Sequence, residues 1–77
     1  MAVGFVLMTT LPGQEATVLS GLDRIELVTQ RWMLFGEFDL MARVQADDEY
    51  DITRCIVEDI RTLPGLKDSQ TRIGAEL

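Results

Sequence analysis

The strand-forming segments of this chain carry apolar residues on both of their faces. In the first of them, the odd positions hold Val3, Phe5 and Leu7, and the even positions hold Val6 and Met8. Successive side chains of a strand point to opposite faces of a sheet, so this strand has no polar face to present to water. A sheet built from such strands needs a cover on both sides, and a second protein chain can supply it.

The chain has 77 residues and is predicted to form a single domain. A domain of this size buries only about 60% of its unfolded surface, and it usually needs disulfides, a metal or oligomerisation besides its core. Cys55 is the only cysteine and histidine is absent, which excludes an internal disulfide and the usual zinc ligand sets. Oligomerisation is therefore the predicted source of additional stability, and no metal or cofactor is expected.

The charge of the chain limits the partners it is expected to bind. The formal net charge is −6, and the seven basic residues are scattered singly, whereas nucleic-acid binding needs clustered Lys and Arg. No apolar run reaches the ~20 residues of a membrane span, and Met1–Met8 lacks the basic leader and cleavage site of a signal peptide. The chain is expected in the cytoplasm, without direct contact to nucleic acid or membrane.

The order of the predicted elements is β-α-β-β-α-β. Strands are predicted over 2–9, 27–35, 38–46 and 66–74. One helix follows Pro12, and the other begins at an Asp47 or Asp48 N-cap and ends before Pro64-Gly65. This order has one common compact solution, an α+β fold in which both helices lie on one face of a ferredoxin-like sheet. A tight hairpin at Gly36-Glu37 is predicted between the middle strands.

The face of this sheet opposite the helices is predicted to be a dimer interface. The residues assigned to it are Val6, Met8, Met33, Phe35 and Met41. An apolar patch of this kind marks an interaction surface, and covering it contributes several kcal/mol, at about 25 cal/mol per Å², before the cost of association. Two such sheets packed face to face form a dimeric α+β barrel.

Four short motifs, in the same order and spacing, resemble one family of regulators. They are Pro12-Gly13 before the first helix, Gly36-Glu37-Phe38-Asp39 within the strand pair Trp32–Val44, Leu63-Pro64-Gly65-Leu66 after the second helix, and Ser69-Gln70-Thr71 in the last strand. Together they resemble the C-terminal half of Lrp/AsnC regulators, called the RAM domain. The resemblance implies that residues 1–77 are a single RAM-type ligand-binding and oligomerisation domain, in a stand-alone form without the DNA-binding helix-turn-helix.

The resemblance also implies a site for a small effector, usually an amino acid, in a cleft between dimers near the hairpin. The residues assigned to this site are Gly36, Glu37, Phe38, Asp39, Ser69 and Thr71. Asp39 would accept from the ammonium group of the ligand, and the backbone N–H groups around Gly36 would donate to its carboxylate. The hydroxyl groups of Ser69 and Thr71 would complete the set, and Phe38 would line the side-chain pocket.

Each of these residues also has a purely structural interpretation. Gly36 could serve only a turn with positive φ, and Asp39 could accept N–H groups of the hairpin. Ser69 and Thr71 could be ordinary residues of an exposed strand, and Phe38 could simply pack against its neighbours.

Three functions are therefore considered. The first is an effector-sensing module that binds a metabolite such as an amino acid, sets its own assembly as a dimer and an octamer or decamer, and modulates transcriptional regulators of amino-acid metabolism. The second is a ligand-free oligomerisation partner of full-length Lrp/AsnC regulators. The third, a small dimeric α+β barrel enzyme, is disfavoured because the chain has no His, no Asn and a single Tyr, Tyr50, at a helix start. No enzymatic activity is expected.

Overall fold

A computed structural model describes residues 1–74, in which two helices cover one face of a four-stranded antiparallel sheet. The elements are β1 (Ala2–Thr10), α1 (Glu15–Leu22), β2 (Val28–Met33), β3 (Leu40–Ala46), α2 (Glu49–Cys55) and β4 (Leu66–Gly74). α2 runs directly into a π-helical segment, Ile56–Ile60. The strand order is β2-β3-β1-β4, so the predicted α+β, ferredoxin-like fold is confirmed. No helix within residues 1–74 is long and apolar enough to cross a membrane.

Local signals in the sequence set the ends of the helices. Asp48 is the N-cap of α2, because its Oδ1 accepts from the backbone N–H of Asp51 at 2.8 Å. Pro12 and Gly13 form a turn before α1 rather than its first residues, since Gly13 has φ +78° and the N–H of Gln14 donates to the carbonyl of Leu11. Gly65, with φ +88°, follows the second helical segment as predicted.

The core lies between the helices and the even-numbered residues of β1. Val6 and Met8 are fully buried in it, together with Leu40, Ala42, Val44, Val18, Leu22, Ile52 and Ile60. The prediction that Val6 and Met8 lie on the open face is therefore wrong. Both faces of β1 are apolar, so its sequence does not fix which face turns inward. The pairing with β3 fixes the inward face, because Val6 is opposite the buried Ala42 and Met8 is opposite the buried Leu40.

The open face of the sheet carries a different apolar set from the predicted one. It consists of Val3, Phe5 and Leu7 of β1, Trp32 of β2 and Met41 of β3, all partly exposed. Met41 lies on this face as predicted. The prediction for Met33 is wrong, because Met33 is opposite Leu40 and so points towards the helix layer. An irregularity in register between Val28 and Gln30 shifts the phase of β2.

The connection between β2 and β3 is longer than the predicted tight turn. It spans residues 34–39 and is closed by the N–H of Leu34, which donates to the carbonyl of Asp39 at 2.8 Å. Phe35 belongs to this loop and not to a strand. The prediction that Phe35 lies on the open face of the sheet is therefore not supported, because Phe35 is not part of a strand.

Candidate functional site

The predicted ligand residues fall into two groups, one in the β2–β3 loop and one on β4. The loop group comprises Gly36, Glu37, Phe38 and Asp39, and the β4 group comprises Ser69 and Thr71. β1 lies between β3 and β4 in the sheet, which separates the two groups by two strand spacings of about 4.8 Å each. A single chain therefore does not bring the six residues together into one pocket.

Asp39 fixes the β2–β3 loop to the end of β1. Its backbone N–H donates to the carbonyl of Met8 at 2.9 Å. Its Oδ2 accepts from the backbone N–H of Thr10 at 2.8 Å and from the Thr10 hydroxyl at 3.2 Å. The carboxylate thus accepts hydrogen bonds from a buried residue of β1, and not from the N–H groups of its own hairpin. Within residues 1–74 both hydrogen bonds of the carboxylate use Oδ2, which leaves Oδ1 as an acceptor for another group.

The loop itself presents backbone to solvent. Gly36 has φ +128°, a conformation that L side chains rarely adopt, and no heavy atom lies within 4 Å of a Cβ built on it. The structural interpretation of Gly36, a turn with positive φ, therefore applies. Phe38 is partly buried, whereas Glu37 is exposed.

The β4 group lines two adjoining depressions beside the helical segment. Ser69 and Thr71 are opposite Met8 and Val6, so they point towards the helix layer. The first depression, of about 370 Å³, is here called the β4 groove; it is lined by Thr53, Ile56, Val57, Arg61, Thr71 and Ile73. The second, of about 330 Å³, is lined by Arg61, Leu66, Lys67, Asp68 and Ser69.

Arg61 is common to both depressions and was missed by sequence reasoning. Helical periodicity puts Arg61 off the apolar stripe of the second helix, as one solvated residue among others. The chain leaves α-helical geometry here, and the N–H of Arg61 donates to the carbonyl of Ile56 at 2.9 Å, a π-type bond. Single π turns of this kind are frequent at functional sites. Hydrophobic periodicity gives no signal for such a turn, so the position of Arg61 beside Ser69 could not be predicted.

Cys55 behaves as a core residue. It is buried against the sheet, and burial, together with the nearby Asp59, raises the pKa of its thiol. A thiol with a raised pKa is a poor nucleophile, which agrees with its interpretation as a small apolar side chain.

Comparison with protein-family models identifies a match over most of the chain. A family described as the Lrp/AsnC ligand binding domain matches residues 3–75, almost the whole chain. A search of curated protein sequences finds no significant match.

Solved structures with the same fold span the full length of the chain. The crystal structure of FFRP-DM1 is 32% identical, with a TM-score of 0.92, covering 97% of this chain and 100% of that one. A hypothetical protein, PHS023 from Pyrococcus horikoshii, is 31% identical, with a TM-score of 0.91 and coverage of 100% and 93%. The transcriptional regulator NMB0573 from Neisseria meningitidis, solved as a complex with L-Met, shares the fold at 14% identity and a TM-score of 0.85. The similarity covers 97% of this chain and 50% of that regulator.

Proposed function

Since this chain belongs to the Lrp/AsnC ligand-binding domain family, we propose that it is an effector-sensing module that binds a small metabolite, an amino acid, between two copies of itself. Binding sets the size of the assembly, and the assembly in turn modulates transcriptional regulators in the cytoplasm. The chain is a ligand-binding domain of a regulator family and not an enzyme.

The observation that carries this proposal is the chemical complementarity of the two separated groups. The β2–β3 loop offers an acceptor, Oδ1 of Asp39. The depression beside β4 offers donors, the hydroxyl of Ser69 and the guanidinium of Arg61. A zwitterionic amino acid needs an acceptor for its ammonium group and donors for its carboxylate. A loop from one copy facing β4 of another would supply both.

The ligand class is supported by one neighbour with the same fold. The regulator NMB0573 was solved with L-Met, an amino acid with an apolar side chain. For this chain, the carboxylate of the ligand would also meet the backbone N–H groups of Gly36 and Glu37, while Phe38 and Thr71 would border its side chain.

The dimer that precedes this assembly would form through the open face. Val3, Phe5, Leu7, Trp32 and Met41 leave apolar surface on that face in the isolated chain, and a second copy of the same sheet would cover it. Val6 and Met8 take no part, because they are buried in the core.

Calorimetric titration of the protein with each of the twenty common amino acids tests the ligand proposal. At least one should release heat and bind at millimolar or lower concentration, and Asp39→Asn should weaken that binding about tenfold or more, since it removes a charged acceptor. Thr10→Val is the matched control: it removes the hydroxyl contact to Asp39 but leaves the carboxylate, so binding should persist. No heat from any of the twenty would refute the proposal.

A second function is favoured by the charge of the open face. Arg43 and Arg72 lie directly opposite Phe5 on either side of β1, and among the strand positions of this face only Asp68 is acidic. A full-length Lrp/AsnC regulator with carboxylates on its own sheet would complement these arginines better than a second copy. If that partner is the true one, affinity purification from cells should recover such a regulator in equal amounts; recovery of this chain alone would exclude it.

A further inference from the structure

The helix layer carries a groove between α1 and the π-helical segment, here called the helix groove. It consists of two adjoining depressions, of about 590 and 340 Å³. Four residues line both depressions: Ile25, Glu26, Glu58 and Asp59. The two helical segments touch within the groove, where a Cβ built on Gly21 would lie 2.5 Å from Cδ2 of Leu63. The groove is therefore formed by the packing of the chain itself and needs no partner to open it.

The lining of the helix groove combines apolar and acidic side chains. Ile25, Leu27 and Leu63 pack against the core and stay partly exposed. Carboxylates outnumber guanidinium groups: the groove is lined by Glu26, Asp51, Glu58 and Asp59 against Arg24 and Arg54. An apolar strip with acidic side chains beside it is complementary to a segment that is apolar on one side and basic next to it.

The negative charge of the helix groove is only weakly neutralised. Arg54 is 3.8 Å from Glu58, and both side chains are more than half exposed, so this pair contributes about 0–1 kcal/mol. The other three carboxylates belong to no ion pair within residues 1–74. The charge also acts on the buried thiol of Cys55, whose pKa is raised by burial and by the nearby Asp59. A cationic partner would therefore gain attraction that the chain does not already use.

This charge limits which partners the helix groove can bind. It repels the phosphates of nucleic acids and of anionic membranes. A second copy docked symmetrically through the same groove would set carboxylates against carboxylates, because such a contact joins identical patches. The seven basic residues of the chain are scattered singly, so a second copy has no basic helix to offer. The helices cover one face of the sheet only, so the groove also stays accessible when the open face is covered.

From these observations we propose that the helix groove binds an amphipathic basic helix of another protein. Its apolar residues would face Ile25 and Leu63, and its Lys or Arg residues would lie beside Glu26 and Asp59. Amphipathic helices bind apolar grooves through side chains at i, i+3, i+4 and i+7, and opposite charges at the rim guide association and fix its orientation. The contact needs neither an amino acid nor any assembly beyond the dimer, so it goes beyond the proposed function and can fail independently of it.

NMR titration of the ¹⁵N-labelled chain, without amino acids, provides the test. The probes are two synthetic peptides of Leu and Lys in equal proportions, one with Leu at i, i+3, i+4 and i+7 and the other with the same residues scrambled. At about 0.15 M ionic strength, exposed charges more than about 8 Å apart are largely screened. The amphipathic peptide should shift the amide resonances of residues 20–26 and 58–63, and should bind about tenfold or more tightly than the scrambled one.

Charge reversal within and outside the helix groove separates a specific contact from the effect of net charge. Asp59→Lys, in the groove, should weaken binding of the amphipathic peptide about tenfold or more. Asp47→Lys is the matched control, because Asp47 is also exposed and the change in net charge is the same, but it does not line the groove. Its affinity should stay within about twofold of the wild type.

Every other outcome overturns the contact. No binding of the amphipathic peptide, equal binding of the scrambled one, or shifts confined to the open face would exclude it. An unchanged affinity of Asp59→Lys, or an equal loss with Asp47→Lys, would exclude it as well. Circular dichroism identifies a variant that fails to fold, and Glu26→Lys, on the α1 side of the groove, then replaces Asp59→Lys. Binding of the amphipathic peptide in the groove, with no heat from any amino acid, would refute the proposed function alone.

Discussion

At the scale of single residues, Asp39 combines a structural contact with a predicted binding role. Its Oδ2 satisfies the buried Thr10 of β1, while the proposed ligand contact needs Oδ1. The residue type and its position after Gly36 could be recognised in the sequence. The partner Thr10 could not, because it is 29 residues away in the chain and only the pairing of β1 with β3 brings the two together.

Removal of the Asp39 carboxylate should destabilise the fold even without ligand. Asp39→Ala leaves the N–H of the buried Thr10 without its acceptor, and an unsatisfied buried donor costs about 1–3 kcal/mol. The Thr10 hydroxyl keeps only its longer bond to Glu15 Oε1, at 3.4 Å. Urea denaturation should show a midpoint lowered accordingly. Glu37→Ala, in the same loop but exposed, should leave the midpoint unchanged; an equal midpoint for both variants would contradict the structural role of Asp39.

The ion pair between Arg31 and Asp23 should be visible in an acid titration. Two hydrogen bonds, of 2.6 and 3.1 Å, join the guanidinium to the carboxylate, and this contact lowers the pKa of Asp23. A lowered pKa contributes stability above the unfolded value, near 3.9, that is lost as the pH falls through the folded value. NMR titration should give Asp23 a pKa below the ordinary range, and Arg31→Gln should return it there. An unshifted pKa in the wild type would rule out the pair in solution.

At the scale of elements, how well a segment could be predicted depends on how different its two faces are. β3 alternates between apolar residues and residues such as Arg43 and Gln45, so its inward face was identified correctly. β1 is apolar on both faces, and only its register with β3 decides that Val6 points inward. The π-helical segment had no sequence signal, and the arginine that follows it was missed for that reason.

The turn between the second helical segment and β4 depends on Gly65. It has φ +88°, and a Cβ built on it would lie 2.8 Å from Cβ of Gln14. Gly65→Ala should therefore lower the free energy of unfolding by about 1–3 kcal/mol. Gly13→Ala is the matched control, with φ +78° but no atom within 4 Å of the new Cβ, so it measures the backbone strain alone. Calorimetric melting curves in which the two variants are equally destabilised would exclude the contact with Gln14.

At the scale of the whole molecule, the fold could be predicted and the assembly surfaces only in part. The element order followed from the pattern of apolar residues, and the open face carries apolar residues on β1, β2 and β3. That a second copy covers this face stays a prediction. Which residues lie on that face depends on the phase of β1 and β2. On β1 the face is formed by Val3, Phe5 and Leu7, and not by Val6 and Met8 as predicted. The separation of the predicted ligand residues into two groups, with β1 between them, could not be predicted without the strand order.

Neighbouring residues of β1 should respond to charge in opposite ways. Leu7→Asp alters the open face only, so the chain should stay folded while its dimer weakens by about 1.5–3 kcal/mol, tenfold or more in Kd. Met8→Asp buries a charge in the core, which should unfold the domain. Circular dichroism and analytical ultracentrifugation distinguish the two. A folded Met8→Asp variant, or a fully dimeric Leu7→Asp variant, would contradict the assignment of faces.

The central claim, that an amino acid controls the assembly of this chain, is tested most directly by light scattering with each of the twenty common amino acids present in turn. The amino acid that gives heat on titration should change the molar mass of the wild type, and it should leave the mass of Asp39→Asn unchanged at the same concentration. A mass that is the same with and without every amino acid would contradict the claim.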